Sequence, residues 1–216
     1  MQFVDKEETY LFENGILTIY DPTLGIAIEE PFTPSRVSEE YYSNGQLKMQ
    51  CYYKLGELHG PSRFYNEKGI CLSESWFYLN HKQGKVLRFY SSGKIYSIER
   101  FLSGLLHGKQ EFYYESGIDK TIMNYGQGKL HGKVLLYWLN GKIKRECSFV
   151  NGARHDFDRI WNEHGVLIDE GEYMNGDPVG THYRFNDHGI LLEERIYHSP
   201  TQFDLKEWSV EGDQCN

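Results

Sequence analysis

Large apolar side chains recur along this chain every 24 residues, in columns set by evenly spaced glycines. The glycines are Gly45, Gly69, Gly93, Gly117, Gly141, Gly165 and Gly189. An aromatic residue stands four positions before each glycine: Tyr41, Tyr65, Phe89, Tyr113, Tyr137, Trp161 and Phe185. Two positions after it, most copies carry an apolar residue: Leu47, Cys71, Ile95, Ile143, Leu167 and Leu191. A second aromatic follows eight positions after the glycine. A register kept this long indicates a tandem repeat of one supersecondary unit.

Each repeat has the pattern of a β-hairpin. Three-residue hairpin loops end in a left-handed residue, usually glycine, and Ser43-Asn44-Gly45 and Leu139-Asn140-Gly141 fit that loop. Such a loop pairs the aromatic residue before the glycine with the apolar residue after it. Strand alternation then predicts that the second aromatic lies on the same face. A helix is excluded because Gly or Asn interrupts the chain about every dozen residues.

The sequence therefore predicts an all-β, elongated single-layer solenoid of stacked antiparallel β-hairpins, with seven 24-residue repeats over residues 37–200. Residues 1–36 are out of register. We predict a degenerate capping hairpin there, with a turn at Asn14-Gly15, and an irregular proline-containing linker. Residues 201–216 are predicted to form a C-terminal cap or tail, in which Phe203 and Trp208 fold over the last hairpin and the final residues fray.

Composition and charge narrow the expected partners and location. The net charge of −8 argues against nucleic acid and anionic lipid as main partners, because both need clustered basic residues. The longest apolar run is far shorter than a membrane span requires, and the first residues are acidic where a signal peptide is basic. Cys51 and Cys147 share a column four repeats apart, too distant for a disulfide. We expect a cytoplasmic protein with reduced thiols, although secretion by a dedicated system stays open.

The sequence offers no catalytic, cofactor or metal site. His59, His107, His131 and His155 share one column, but successive copies lie two strand spacings apart, roughly 9–10 Å. Two ligands of one zinc ion must lie much closer together. The Gly-x-x-x-Gly-Lys segments at residues 104–109 and 128–133 are repeat turns and lack the spacing of a phosphate loop. We therefore expect a protein that is not an enzyme and has no cofactor.

Aromatic residues outside the repeat columns form the candidate binding site. Assigned by alternation to the second face of the hairpins, they are Tyr42, Tyr52, Trp76, Tyr90, Tyr96, Tyr114 and Trp138. Aromatic residues grouped on a polar surface are typical of a recognition patch. The alternative is that this face packs against a bend of the ribbon or against the N-terminal cap.

The repeat resembles the MORN repeat, specifically its bacterial variant. The resemblance rests on an aromatic residue, Gly and an aliphatic residue at fixed spacing, then a second Gly and a His-Gly pair, as in Tyr137 to Ile143 followed by Gly152, and in Phe89 to His107-Gly108. It covers about residues 37–200, although the standard MORN unit is nearer 23 residues and carries Gly and Trp in fixed strand positions. Membership implies a hairpin solenoid that acts through protein contacts.

The resemblance also implies a range of functions. Bacterial members are commonly antitoxins or immunity proteins, which bind and mask a toxin, whereas others resemble scaffolds or secreted effectors. Our leading hypothesis is a non-enzymatic antitoxin for a basic toxin, since complementary charge favours the encounter. The alternative is a scaffold or effector that organises several proteins or binds weakly at a membrane surface. The identity of the partner and the oligomeric state are left open.

Overall fold

The computed structural model describes residues 10–13, 16–21 and 26–209, and these form β-strands and turns without a helix. The strands are β1 (Tyr10–Glu13), β2 (Ile16–Asp21), β3 (Ile26–Pro31), β4 (Arg36–Tyr41), β5 (Leu47–Lys54), β6 (Glu57–Tyr65), β7 (Cys71–Tyr78), β8 (His81–Lys82), β9 (Gly84–Phe89), β10 (Ile95–Leu102), β11 (Leu105–Leu106), β12 (Gly108–Tyr113), β13 (Asp119–Gly126), β14 (Lys129–Tyr137), β15 (Ile143–Val150), β16 (Ala153–Trp161), β17 (Leu167–Met174), β18 (Asp177–Phe185), β19 (Leu191–Ser199) and β20 (Gln202–Glu207). The predicted turn at Asn14-Gly15 and the tail after Ser209 lie outside the described residues.

The chain divides into two compact units, Met1–Gly117 and Ile118–Asn216. The first unit contains a three-stranded antiparallel sheet, β1-β2-β3, and a sheet of stacked hairpins from β4 to β12. In the second unit, strands β13 to β20 pair antiparallel in sequence order. The predicted fold class, all-β with stacked antiparallel hairpins, is confirmed.

The three-residue loop predicted from the glycine column is also confirmed. In the fifth repeat Tyr137 pairs with Ile143, as the loop requires. The Trp138 N–H donates to the Lys142 carbonyl at 2.8 Å, and the Gly141 N–H donates to the Trp138 carbonyl at 2.9 Å. Gly141 has φ of 81°, the left-handed conformation for which glycine has no steric penalty. Five further repeats with both strands in one unit show the same pairing.

The turn between consecutive repeats is a two-residue hairpin turn. Both of its residues have positive φ, as in Gln127 (48°) with Gly128 (79°), and in Asn175 (54°) with Gly176 (97°). Positive φ at both positions defines the type I′ turn, whose twist matches that of the flanking strands. Each repeat is therefore built around one three-residue loop and is joined to the next repeat by a type I′ turn.

The predicted position of the second aromatic column is wrong, because each hairpin contains a β-bulge. The register shifts directly after the first cross-strand pair: Tyr137 faces Ile143, but Leu136 faces Arg145, so Lys144 is an extra residue. One extra residue reverses the alternation beyond it. Residues five and seven positions after the glycine therefore share a face with the first aromatic, whereas those at six and eight lie on the opposite face.

Two faces follow from this register. The aromatic face carries the residues four before and two after each glycine. The packed face carries the residues seven before and six after it, and it holds most of the buried side chains. These are Cys51, Ser62, Val86 and Gln110 in the first unit and Val134, Cys147 and Asp158 in the second. Non-aromatic side chains occupy these positions in the core, and the large aromatic residues of the cross-strand pairs are less buried.

The N-terminal linker is more ordered than the sequence indicates. The proline-containing segment predicted to be irregular includes β3, whose Pro31 pairs with Ile16. Phe32 then stacks on the ring of the fully buried His59, with ring centroids 6.1 Å apart. A Cβ atom at Gly60 would overlap the Phe32 ring, so glycine at this position makes room for the linker. The C-terminal segment forms β20, in which Phe203 packs on Tyr197 at 5.3 Å.

Candidate protein-binding surface

The residue three positions before the repeat glycine connects one hairpin to the next. In three repeats it is an aromatic residue whose polar tip reaches the following repeat. The Tyr42 hydroxyl donates to the Tyr65 carbonyl and the Tyr90 hydroxyl to the Tyr113 carbonyl, both at 2.8 Å. The Trp138 Nε1–H donates to the Trp161 carbonyl at 3.0 Å. Three of the predicted binding residues therefore make hydrogen bonds that join adjacent repeats.

The other repeats use asparagine at the same position and close the turn differently. The Asn162 Oδ1 atom accepts the N–H groups of His164 and Val166, each at 3.0 Å, and its amide donates to the Asp187 carbonyl at 3.0 Å. Asn66 and Asn186 accept the corresponding pairs of N–H groups in their own turns. In these repeats, asparagine therefore closes the turn and replaces the aromatic residue.

The remaining predicted binding residues lie in different environments. Tyr52 packs against Phe32, with ring centroids 5.6 Å apart, and the Trp76 Nε1–H donates to Glu74 at 3.1 Å. Both lie on the aromatic face. Tyr96 is the bulge residue of its hairpin and contacts Phe112 of the packed face at 6.0 Å.

The structure brings together only part of the predicted set. Tyr90 and Tyr96 form an edge-to-face pair at 5.3 Å. Tyr114 lies at the turn after β12. Trp138 belongs to the second unit, where the Lys144 ammonium lies 4.2 Å from its ring centroid. All seven predicted residues are half-buried. Their role in partner binding stays a prediction.

The aromatic face exposes some of its large apolar side chains. Tyr41 is 58% exposed, Ile95 40% and Ile143 37%. Each belongs to the cross-strand pair of its hairpin, whereas the equivalent side chains of other repeats, such as Tyr65 and Leu167, are half-buried. The bulge contributes to this exposure, because it places the second aromatic, eight positions after the glycine, on the opposite face. Taken in each unit by itself, these exposed apolar side chains between polar ones, here called the apolar row, have the composition of a protein contact surface.

Charged side chains accompany this apolar row. The Glu39 carboxylate accepts two hydrogen bonds, from the Tyr41 hydroxyl at 2.6 Å and from the Gln50 amide at 2.8 Å. These bonds lower the pKa of the Glu39 carboxyl. Glu39 therefore keeps its negative charge well into the acidic range. Cross-strand ion pairs occupy the equivalent positions of other repeats, such as Arg63 with Glu74 at 2.7 Å.

A second charged group, on the packed face of the second unit, surrounds the buried carboxylate of Asp158. Arg145 binds Asp158 through two nitrogens, at 2.8 and 2.5 Å, and Arg154 lies 3.4 Å from the same carboxylate. Burial and the neighbouring Asp158 raise the pKa of Asp169. Asp158 is only 5% exposed, so its carboxylate offers little surface to a partner, although the side chains of Arg145 and Arg154 are partly accessible.

A protein-family model matches four of the repeats. The family model described as "MORN repeat variant" matches residues 37–55, 82–102, 106–125 and 130–151. Four repeats of this chain are MORN repeat variants. The four matched repeats are those with an aromatic residue three positions before the glycine: Tyr42, Tyr90, Tyr114 and Trp138. The other three MORN-like repeats carry Asn66, Asn162 and Asn186 there.

Two further findings accompany the family match. No curated protein matches this chain. Within the residues that the structure describes, no helix is long and apolar enough to cross a membrane. MORN repeats are generally interaction modules, and this supports a protein-binding role for the chain in general terms.

Proposed function

We propose that this protein is a non-enzymatic antitoxin or immunity protein that binds and masks a basic toxin. The family supports a repeat-based protein-binding module. The observation that carries the narrower proposal is the exposed apolar row of the aromatic face in a chain of net charge −8. A partner that presents apolar side chains among Lys and Arg would complement both features.

Exposed apolar side chains would provide most of the binding free energy. Tyr41, Ile95 and Ile143 can be covered by a partner without unfolding a hairpin, because their rings and aliphatic groups already face solvent. Glu39 and the other carboxylates would act mainly on the rate of encounter and on the choice of partner.

The first experiment is affinity capture of the tagged full chain from native cells at near-physiological salt, with mass spectrometry of the retained proteins. We expect one dominant basic protein, encoded nearby, that stops growth when expressed alone and is harmless when co-expressed with this chain. Several unrelated partners without growth rescue would contradict the antitoxin proposal and favour a scaffold. Retention of lipid alone would contradict protein masking altogether.

The binding surface is tested with the captured partner. Ile95→Ala should weaken binding, whereas Phe64→Ala is the matched control, because Phe64 is 44% exposed but lies on the opposite face. Tyr90→Ala together with Trp138→Ala tests the sequence-predicted patch. Since both residues bond to the next repeat, Tyr90→Phe is needed beside them: it removes the hydroxyl bond and keeps the ring. Unchanged affinity for Ile95→Ala would exclude the apolar row as the binding surface.

A further inference from the structure

Strand β20 is an exposed edge of the second unit. It pairs with β19 along one side, and no other strand in the described part of the second unit pairs with it. All six residues from Gln202 to Glu207 are exposed, including Phe203 at 42% and Leu205 at 48%. A free edge presents unpaired N–H and C=O groups, which form a template for another strand.

The pairing with β19 determines which backbone groups point outward. The Trp208 N–H donates to the Leu192 carbonyl at 3.0 Å, so these two residues form a hydrogen-bonded pair. Hydrogen-bonded pairs alternate along an antiparallel ladder. Lys206 and Asp204 therefore also bond toward β19. The N–H and C=O groups of Phe203, Leu205 and Glu207 then point away from the sheet.

The side chains of β20 are charge-complementary to a second copy of the same strand. If two β20 strands pair antiparallel about Leu205, Asp204 of each copy lies opposite Lys206 of the other, and Leu205 faces Leu205. The outward backbone groups of Phe203, Leu205 and Glu207 meet their counterparts in this register. Contacts within the chain keep Asp204 and Lys206 in place, since His198 bonds Asp204 at 2.8 Å and Lys206 bonds Glu194 at 3.0 Å.

Neighbouring registers are disfavoured by charge. The outward N–H and C=O groups of one β20 strand must face those of the other. The two-fold axis must therefore pass through a residue and not between two, and the registers next to Leu205 are centred on Asp204 and Lys206. A centre at Asp204 places the two Asp204 carboxylates opposite each other, and a centre at Lys206 does the same with the two ammonium groups. Like charges directly opposite each other destabilise a strand pair. Of these three registers, only the one about Leu205 forms two attractive pairs.

We propose that two copies of this chain form a two-fold symmetric dimer by antiparallel pairing of their β20 strands about Leu205. About six backbone hydrogen bonds would form between the copies. An isologous contact of this kind closes on itself, whereas a heterologous contact between β20 and a different edge strand need not close. The proposal concerns an edge strand and is independent of the toxin-binding proposal.

The test is sedimentation velocity and light scattering of the full chain over a wide range of concentrations. A dimer is expected, and Asp204→Lys and Lys206→Asp should each weaken it by about tenfold, because each places like charges opposite each other. A mixture of the two single variants should recover a heterodimer, since one copy then carries lysine at both positions and the other carries aspartate at both. Misfolding cannot produce this recovery.

Leu205→Pro gives a second, independent readout. It removes an outward N–H that makes no bond to β19, and edge strands tolerate proline at such positions. The variant should keep the circular dichroism spectrum of the wild type and be monomeric. A wild-type chain that stays monomeric at the highest concentration overturns the proposal. So do species that grow beyond the dimer, or single charge variants whose mixture does not recover.

Discussion

At the scale of single residues, Gly171 makes room for the imidazole of His182 on the packed face of the second unit. A Cβ atom at Gly171 would lie 2.6 Å from His182 Cε1 and 2.7 Å from Cγ. The imidazole cannot easily move, because Tyr173 and Tyr197 contact it at 5.1 and 4.6 Å and its Nε2 atom bonds the Glu172 carbonyl at 2.8 Å. The φ of Gly171 is not in the left-handed region, so the need for glycine here is steric.

Gly171→Ala should therefore lower the free energy of unfolding by about 1–3 kcal/mol, as overpacking of a core does. Urea denaturation measures it. Gly126→Ala is the matched control, since Gly126 also lies in a strand without positive φ and an added Cβ meets its nearest neighbour, the Cβ of His131, at 3.6 Å. In a His182→Ala background the cost of Gly171→Ala should largely disappear. An equal cost in both backgrounds would rule out the steric explanation.

Asp169 gives a pH-dependent prediction. Burial, with the nearby Asp158, raises the pKa of Asp169 in the folded state, so the folded protein holds this proton more tightly than the unfolded chain. The corresponding stability is fully present below the unfolded pKa of about 3.9 and is lost as the pH rises through the folded pKa. Asp169→Asn should therefore be more stable than wild type at pH 7.

Thermal unfolding of both proteins between pH 3 and pH 7 measures this difference, which should shrink toward the acidic end. Asp187→Asn, at an exposed turn, is the control for loss of one negative charge. An advantage of Asp169→Asn that is constant with pH, or a loss of stability at pH 7, would contradict the assigned role of burial.

At the scale of the hairpin, the sequence could predict the loops but not the faces. Glycine at a fixed spacing indicates the left-handed turn residue, and the loop length then fixes the pair of Tyr137 with Ile143. The bulge residue has no such signal, because it is Lys48, Tyr96 or Lys144 in different repeats. Without the bulge, alternation assigns every later side chain to the wrong face. The predicted aromatic patch was grouped on that basis.

The hydrogen bonds of Asn162 should contribute to the local stability of its turn. Asn162→Ala removes the acceptor of the His164 and Val166 N–H groups and the donor to the Asp187 carbonyl. We expect a loss of about 1–2 kcal/mol in local stability. Hydrogen exchange of the His164 and Val166 amides measures it.

Asn162→Asp is the matched variant for this turn. It keeps the oxygen that accepts both N–H groups and removes the donor to the neighbouring repeat, so its effect should be smaller. If Asn162→Asp and Asn162→Ala cost the same, the bond to Asp187 would be the dominant contribution and the closure of the turn itself would contribute little.

At the scale of the whole molecule, the repeat number and the hairpin architecture followed from one column of glycines, whereas the exposed surface did not. Exposure depends on which positions the packing of successive hairpins covers, and small residues such as Val86 and Val134 occupy those positions. The family match follows the chemistry of the turns, since it includes the repeats with aromatic turns and omits those with asparagine. Sequence similarity alone therefore underestimates the number of repeats that share the fold.

The net charge of the chain should affect how fast a partner associates with it. With a net charge of −8, the chain should attract a basic partner over distances comparable with the screening length, about 10 Å at 0.1 M salt. The association rate constant with the captured partner should then fall about tenfold or more between low and high salt, while the dissociation rate constant changes little. Ile95→Ala should raise the dissociation rate constant and leave the association rate constant nearly unchanged. The exposed Ile95 side chain contributes to the contact and carries no charge that would attract the partner. Binding kinetics at several salt concentrations separate the two effects, and an association rate that does not depend on salt would argue against a basic partner.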